Sequence, residues 1–174
     1  MSLLAAALSR AHDFLLAPEG EVRTAPRAAA TARSLEVAVV GLKAECGAST
    51  VAAGLARALS SAGVSHAHVT EIAPAELVRH CPDLTVLVVP GDVEPALVSL
   101  VTRIVGARLG RIVVVANRVR DLDRWIGRSS LCVPDSRIGA VLAGHGRISP
   151  GQLGAAFARL AEIVVEAEDR DALR

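Results

Sequence analysis

The sequence contains very few aromatic residues. They account for 2% of its 174 residues, as one Trp, two Phe and no Tyr, although hydrophobic residues reach 52%. Large planar side chains therefore cannot form the bulk of a core, and we expect one built from Val, Leu, Ile and Ala. A chain of this length is sufficient for one domain with a well-buried interior.

Strong charge of one sign is also absent, as are long apolar runs. The formal net charge is +1, which argues against strong attraction to nucleic acid or to an anionic membrane. No apolar run is long enough to span a bilayer, so we expect no transmembrane segment. The apolar start has neither a basic leader nor a clear cleavage pattern. We therefore expect no signal peptide and a cytoplasmic location.

Cysteine is scarce. Cys46, Cys81 and Cys132 are far apart and odd in number, without the spacing of metal ligands. Reduced thiols and no metal site are the expectation. A reactive thiol at Cys46, just before a predicted helix, is one interpretation. A small residue that fills a loop is favoured, because Ala52 stands where the C-x5-R phosphatase pattern has arginine.

Short Val/Leu/Ile runs alternate with Ala/Leu-rich helical runs from residue 35 onward. This alternation is typical of buried parallel strands covered by helices. We predict an α/β fold with three layers, a mostly parallel sheet and helices on both of its faces. Residues 1–34 are predicted to form a helix, Ser2–Leu16, and a flexible linker. Residues 35–168 are predicted to form the α/β domain, and residues 169–174 a C-terminal tail.

The boundaries of the elements follow from the apolar runs and from the turn residues between them. The predicted strands are Glu36–Val40, His66–Ile72, Leu84–Val89, Arg111–Ala116 and Ser130–Val133. The predicted helices are Ser49–Ala62, Ala75–His80, Glu94–Leu109, Gly139–His145 and Pro150–Glu168, with a helical turn at Leu122–Gly127.

Lys43 is the only lysine of the chain, and it lies between a predicted strand and a predicted helix. The segment Lys43–Thr50 reads KAECGAST, and a strand, a tight loop and a helix beginning Ser-Thr form the frame of a phosphate-binding loop. The usual pattern is G-x-x-x-x-G-K-(S/T), whose lysine neutralises phosphates and whose hydroxyl ligates magnesium. Here Leu42 replaces the first glycine and Ala48 the lysine. Glu45 adds an anion that repels a polyphosphate.

This segment resembles the deviant Walker-A loop of the ParA/MinD family of ATPases, whose pattern is K-G-G-x-G-K-(S/T)-(S/T). Lys43 matches the family's additional lysine, which in that family reaches the nucleotide of a dimer partner. Gly47 matches the last glycine, and Ser49 and Thr50 match the paired hydroxyl residues. Two glycines and the second lysine are lost. The resemblance implies a P-loop NTPase-like fold, a nucleotide site at this loop and a homodimer.

Two later segments are similar to the same family. Asn117 and Arg118 follow a Val-rich run, as in the family's strand ending in Asn-Arg, where the asparagine contacts the adenine edge. Pro134 lies in a segment similar to the family's I-P-x-D, whose backbone flanks the base. The family's Walker-B strand has no counterpart, and only Glu71 keeps an acid where the family often has two aspartates.

The resemblance implies a vestigial nucleotide site without catalytic residues or metal ligands. Its residues are Lys43, Gly47, Ser49, Thr50, Asn117, Arg118 and Pro134. Asp92 and Glu94 are interpreted as a turn and a helix start, where acids are favoured, rather than as metal ligands. His66 and His68 share one strand face and are interpreted as edge or core-flanking residues rather than a metal pair. Trp125 is predicted to pack the turn after Asn117 onto the sheet.

Three functions remain open. The first is a degenerate ParA/MinD-like protein that does not hydrolyse ATP and acts as an assembly, positioning or scaffold factor, through a homodimer and an unidentified protein partner. It needs no cofactor. The second is an active ATPase that binds ATP and magnesium, with Lys43 or an arginine replacing the lost lysine. A third, weaker hypothesis is an enzyme that binds a different ligand at the same strand ends. Phosphoryl transfer depends on electrostatic stabilisation, so the lost lysine and acids favour the first.

Overall fold

The computed structural model describes residues 34–80, 82–109, 111–145, 147 and 151–172. The predicted helix Ser2–Leu16, nearly all of the linker after it, and Cys81 lie outside these residues. So do the last two residues of the predicted tail.

In the part of the chain that the structure describes, five strands form one parallel sheet in the order β2-β1-β3-β4-β5. They are β1 (Leu35–Gly41), β2 (Ala67–Glu71), β3 (Leu84–Pro90), β4 (Ile112–Val119) and β5 (Leu131–Pro134). The central strand β3 is buried along its entire length, as expected for a parallel strand with both faces covered. The predicted α/β class with a parallel sheet is confirmed.

The described residues include five α-helices between and after the strands. They are α1 (Ala48–Ser61), α2 (Leu77–His80), α3 (Pro95–Leu109), α4 (Arg137–Gly144) and α5 (Gln152–Ala172). α5 continues beyond the predicted end at Glu168, because neither glycine nor proline interrupts the segment that follows. A short 3₁₀ turn, Asp123–Trp125, precedes β5. Among the described helices, none combines the length and the apolar character needed to cross a membrane.

One face of the sheet is covered by α1 and α5. Alternate strand residues such as Val86 and Val115 point to this face. They belong to the same buried cluster as Leu55 and Leu59 of α1 and Leu160 of α5. This is the larger part of the core.

The opposite face is covered more thinly. There Val89 and Ala116 pack with Val98 of α3 and with Trp125. A separate small cluster joins β1 to Leu77 of α2. The sheet therefore has helices on both faces, which confirms the predicted three-layer arrangement.

Candidate functional site

The β1–α1 connection has the backbone of a tight strand-to-helix turn. Gly47 precedes α1 with a left-handed φ of 87°, a conformation that glycine adopts without steric cost. Its carbonyl accepts the first helical hydrogen bond from Val51 N at 3.0 Å. At the other end of the turn, Leu42 N donates to Val88 O at 2.9 Å. Glu45 is also left-handed, with φ 58°. The loop is thus fixed at both ends.

The space beneath this loop is filled by two small side chains. Cys46 and Ala48 are both buried, and Ala48 is only 7% exposed. A Cβ on Gly41 would lie 2.6 Å from Cys46 Sγ and 3.4 Å from Ala48 Cβ, so a larger residue there would displace the Cys46 side chain. The buried thiol agrees with the favoured interpretation of Cys46 as a loop-filling residue. A buried methyl group occupies the position at which a phosphate-binding loop has its lysine.

Asn117, at the end of β4, is joined to this loop. Its side-chain Nδ2 donates a hydrogen bond to the main-chain oxygen of Cys46 at 2.8 Å. Asn117 is 5% exposed, and a Cβ on Gly47 would collide with its amide nitrogen. Buried polar groups need such partners. The carboxamide predicted to contact a base is therefore bound to the loop itself, a contact that the sequence pattern does not reveal.

Lys43 forms an ion pair with Asp92, an acid in the loop that follows the neighbouring strand β3. Its Nζ lies 3.4 Å from Asp92 Oδ2, and both side chains are largely exposed. Asp92 follows β3, where the sequence predicts only a turn. An exposed pair of this kind contributes little to stability, but it partly neutralises the only lysine of the loop.

A cleft of about 790 Å³ lies at the carboxyl ends of β3, β4 and β5. In parallel α/β sheets this edge is the usual ligand-binding position. Five of the seven predicted site residues line it: Lys43, Thr50, Asn117, Arg118 and Pro134. The other two lie at the start of α1, where Gly47 is packed against Asn117 and Ser49 is exposed.

The cleft carries charges of both signs. Its lining contains five cations, Lys43, Arg118, Arg120, Arg124 and Arg137, and four carboxylates, Glu45, Asp92, Asp121 and Asp135. Arg120 Nη2 lies 3.2 Å from Asp135 Oδ2, and Arg124 Nη2 lies 2.6 Å from Glu94 Oε2. Three of the five cations are therefore already paired. Within the described part of the chain, no group of three His, Cys, Asp or Glu side chains is placed to hold a metal ion.

The end of β4 is bent beside the cleft. The β4–β5 register shifts between Asn117 and Val119, and the intervening Arg118 is left-handed, with φ 58°. For a non-glycine residue this conformation costs about 1–2 kcal/mol. Gly91 makes the bend possible, because a Cβ there would lie 2.8 Å from Arg118 O and 2.9 Å from Val119 Cα. The bend places Arg118 on the cleft wall.

Trp125 packs against the same bend, on the sheet face that α3 covers. It is buried in the cluster that contains Val89 and Val98, and its Nε1 donates to Gly91 O at 3.2 Å. The prediction that Trp125 packs the turn after Asn117 onto the sheet is confirmed. The sequence does not predict the hydrogen bond to Gly91, because 34 residues separate the two.

His66, which precedes β2, and His68 within β2 do not line the cleft. β2 is an edge strand of the sheet, and His68 is exposed. His66 Nε2 lies 3.3 Å from Glu168 Oε1 on α5. This placement agrees with the predicted edge or core-flanking role.

In comparisons of the chain with protein-family models, with curated proteins and with solved structures, no match was found. The resemblance to the ParA/MinD family therefore stays a prediction from the loop and the strand ends.

Proposed function

We propose that the protein is a degenerate ParA/MinD-like P-loop protein that does not hydrolyse ATP. It acts in the cytoplasm as an assembly, positioning or scaffold factor, through self-association and binding of a protein partner. The observation that carries this proposal is the buried Ala48 at the lysine position of the loop. Phosphoryl transfer depends almost entirely on electrostatic stabilisation. The loss of one such contact raises the barrier by about 3 kcal/mol.

The charges around the loop support the same conclusion. A phosphate bound at the loop must compete with Asp92 for Lys43, whose Nζ lies 3.4 Å from that carboxylate. It must also approach Glu45, which lines the same cleft. Like charges at close range oppose binding.

The mixed charge of the cleft supports a protein partner. A surface with interspersed cations and carboxylates is complementary to a polar protein segment that carries both signs. It is less suited to a polyanion, because Arg120 and Arg124 are held by carboxylates.

The alternative is an active ATPase in which Lys43 supplies the missing positive charge. Lys43 and Thr50 line the same cleft as Asn117 and Arg118, which favours this alternative. The Lys43–Asp92 pair is exposed, so a ligand can displace it at small cost.

Isothermal titration of the full chain with ATP and magnesium, together with a phosphate-release assay, separates the two functions. We expect no magnesium-dependent binding and no phosphate release above the background without protein. Magnesium-dependent binding with turnover that is lost in Lys43→Ala would establish the alternative. Turnover that is unchanged in Lys43→Ala and persists on further purification would establish the alternative with an arginine in place of Lys43. Turnover that disappears on further purification would come from a contaminating ATPase and would leave the proposal standing.

A further inference from the structure

The exposed side of α3 carries a row of large aliphatic side chains. Leu97, Leu100 and Ile104 are 55%, 43% and 58% exposed, and spacings of three and four residues place them on one helix face. We call these three residues the α3 ridge. Val98, on the inner side of the same helix, is fully buried against the sheet. A helix that is apolar on both sides is typical of one with neighbours on both sides.

The hydroxyl groups next to the ridge are already satisfied. Ser99 Oγ donates to Pro95 O at 3.2 Å, and Thr102 Oγ1 donates to Val98 O at 2.8 Å. Ser and Thr hydroxyls that bond back to their own helix need no water. Covering this side of α3 would therefore leave neither of them without a partner.

The other face of the molecule has an apolar groove between α1 and α5. It has a volume of about 620 Å³. A Cβ on Gly54 would collide with the Phe157 ring, so glycine at this position lets the ring pack against α1. We call this surface the α1–α5 groove, and its apolar lining includes Gly54, Ala58, Phe157, Ala158, Ala161 and Val165.

Charged side chains border both surfaces. The groove is bordered by Arg57 and Arg147 and by Glu162 and Glu166. Arg159 holds the two glutamates: its Nη1 lies 2.6 Å from Glu162 Oε2 and 3.6 Å from Glu166 Oε1. The hydrogen bond to Glu162 and the charges of both carboxylates raise the pKa of Arg159 above its ordinary value.

The ridge has charges of both signs as well. Arg103 is exposed next to Ile104, and Glu94 precedes the first turn of α3. Arg103 is therefore complementary in charge to Glu162 and Glu166 of the groove, which together carry two negative charges against the one positive charge of Arg159. Glu94 is held by Arg124 and contributes less.

We propose that the α3 ridge of one copy docks into the α1–α5 groove of a second copy. A convex apolar surface and a concave one, each with both charge signs, occur on the same chain. They cover opposite faces of the sheet, because the strand residues that pack under them alternate. The contact is therefore heterologous. When two copies bind, one keeps a free groove and the other keeps a free ridge. Copies then assemble head to tail instead of closing as a two-fold dimer.

The docking rests on the proposed function in one respect, because it is the self-association that the proposed function includes. The residues that form the contact do not belong to the β1–α1 loop. The ridge consists of three aliphatic side chains, each about half exposed. A stable complex buries about 800 Å² per partner. The association is therefore weak and reversible, and assembly depends on protein concentration.

Two variants test the pairing. Leu100→Glu removes the ridge and Ala158→Trp fills the groove, both at exposed positions. We expect sedimentation velocity of the full chain without nucleotide to show oligomers that grow with concentration. Each variant alone should associate at least about tenfold more weakly. An equimolar mixture should form a 1:1 complex, because the Leu100→Glu copy keeps its groove and the Ala158→Trp copy keeps its ridge. No larger oligomer should form, because this complex has neither a free ridge nor an open groove.

Ile138→Glu is the matched control, because Ile138 is an exposed aliphatic residue of α4 that belongs to neither surface. It should associate as the unmodified chain does. Circular dichroism checks that each variant is folded. If Leu100→Glu does not fold, Ile104→Glu takes its place; if Ala158→Trp does not fold, Ala62→Trp takes its place, because Ala62 also lines the groove.

Three results would overturn the docking: an unmodified chain that stays monomeric, a variant mixture that stays monomeric, or self-association of Ala158→Trp through its ridge alone. These results are distinguishable from failure of the proposed function. ATP turnover by a chain that still assembles head to tail overturns only the absence of hydrolysis. A monomer without turnover overturns the docking and the self-association in the proposed function, but leaves the absence of hydrolysis standing.

Discussion

Asn117 donates its side-chain amide to the main-chain oxygen of Cys46 at 2.8 Å, across 71 positions of sequence. The bond is buried, so its loss is not compensated by water. It ties the β1–α1 loop to the end of β4, and Gly47 has no side chain that would obstruct it. The shape of the loop therefore depends on a residue from a different strand.

Replacing Asn117 and Gly47 singly and together should reveal their coupling. Asn117→Ala should lower the free energy of unfolding by about 2–3 kcal/mol, because the Cys46 carbonyl loses its buried donor. Gly47→Ala should also destabilise the fold, through its left-handed φ of 87° and its collision with Asn117. In the double variant the collision disappears and only the backbone strain remains. The combined loss should therefore be at least about 1 kcal/mol smaller than the sum.

Urea unfolding followed by circular dichroism measures these values. Arg118→Ala is the control, because Arg118 is exposed and its replacement keeps the same left-handed constraint; we expect a change within about 0.5 kcal/mol. Strictly additive losses at Gly47 and Asn117 would contradict the coupling.

Two glycines offer a second comparison. Gly91→Ala should lower the free energy of unfolding by about 2–3 kcal/mol, because the new Cβ would meet Arg118 O at 2.8 Å and Val119 Cα at 2.9 Å. These are main-chain atoms of a strand and cannot rotate away. At Gly106 a Cβ would meet only Ile112 Cδ1, at 3.7 Å, so Gly106→Ala in α3 should stabilise the helix by up to about 1 kcal/mol. Equal midpoints in guanidinium unfolding would contradict this assignment.

The fold was predictable because its signals are local. β3 and β4 are almost pure Val/Leu/Ile runs, which two buried faces require. The alignment of the β1–α1 loop with the phosphate-binding pattern needed only the order of residues in Lys43–Thr50. Boundaries were less certain at α4, which begins at Arg137 instead of Gly139, because the Ser136 hydroxyl accepts from Gly139 N at 3.1 Å and thus supports an earlier start.

The contacts of the site were not predictable, because they join residues that are distant in sequence. The Lys43–Asp92 pair spans 49 positions, and no local pattern distinguishes Asp92 from an ordinary turn residue. The α1–α5 groove depends on two helices about 100 residues apart packing through Gly54 and Phe157. Sequence periodicity gives the apolar face of each helix, but not which face meets which.

Thr85 tests what it costs to bury a hydroxyl group that has no hydrogen-bond partner. It lies in β3, and among the side chains of the described residues its Oγ1 is buried without a hydrogen-bond partner. Thr85→Val keeps the shape and removes the unsatisfied hydroxyl, so it should raise the free energy of unfolding by about 1 kcal/mol. Thr70→Val, at an exposed position of β2, should change it by less than about 0.5 kcal/mol. Thermal and urea unfolding of both variants measure the difference, and a destabilised Thr85→Val would show that the hydroxyl has a partner in solution.

Restoring the missing charge tests what prevents nucleotide binding. Ala48→Lys combined with Glu45→Gly supplies the cation and removes the opposing carboxylate, and the left-handed φ of 58° at Glu45 suits glycine. We expect ATP affinity with magnesium to rise at least about tenfold, the value of one hydrogen bond to a charged group. Ala48→Met with Glu45→Gly is the matched control, since Met is similarly long and uncharged and costs similar packing at this buried position. Isothermal titration compares the two, and an equal gain in the Met variant would show that the lost charge is not what prevents binding.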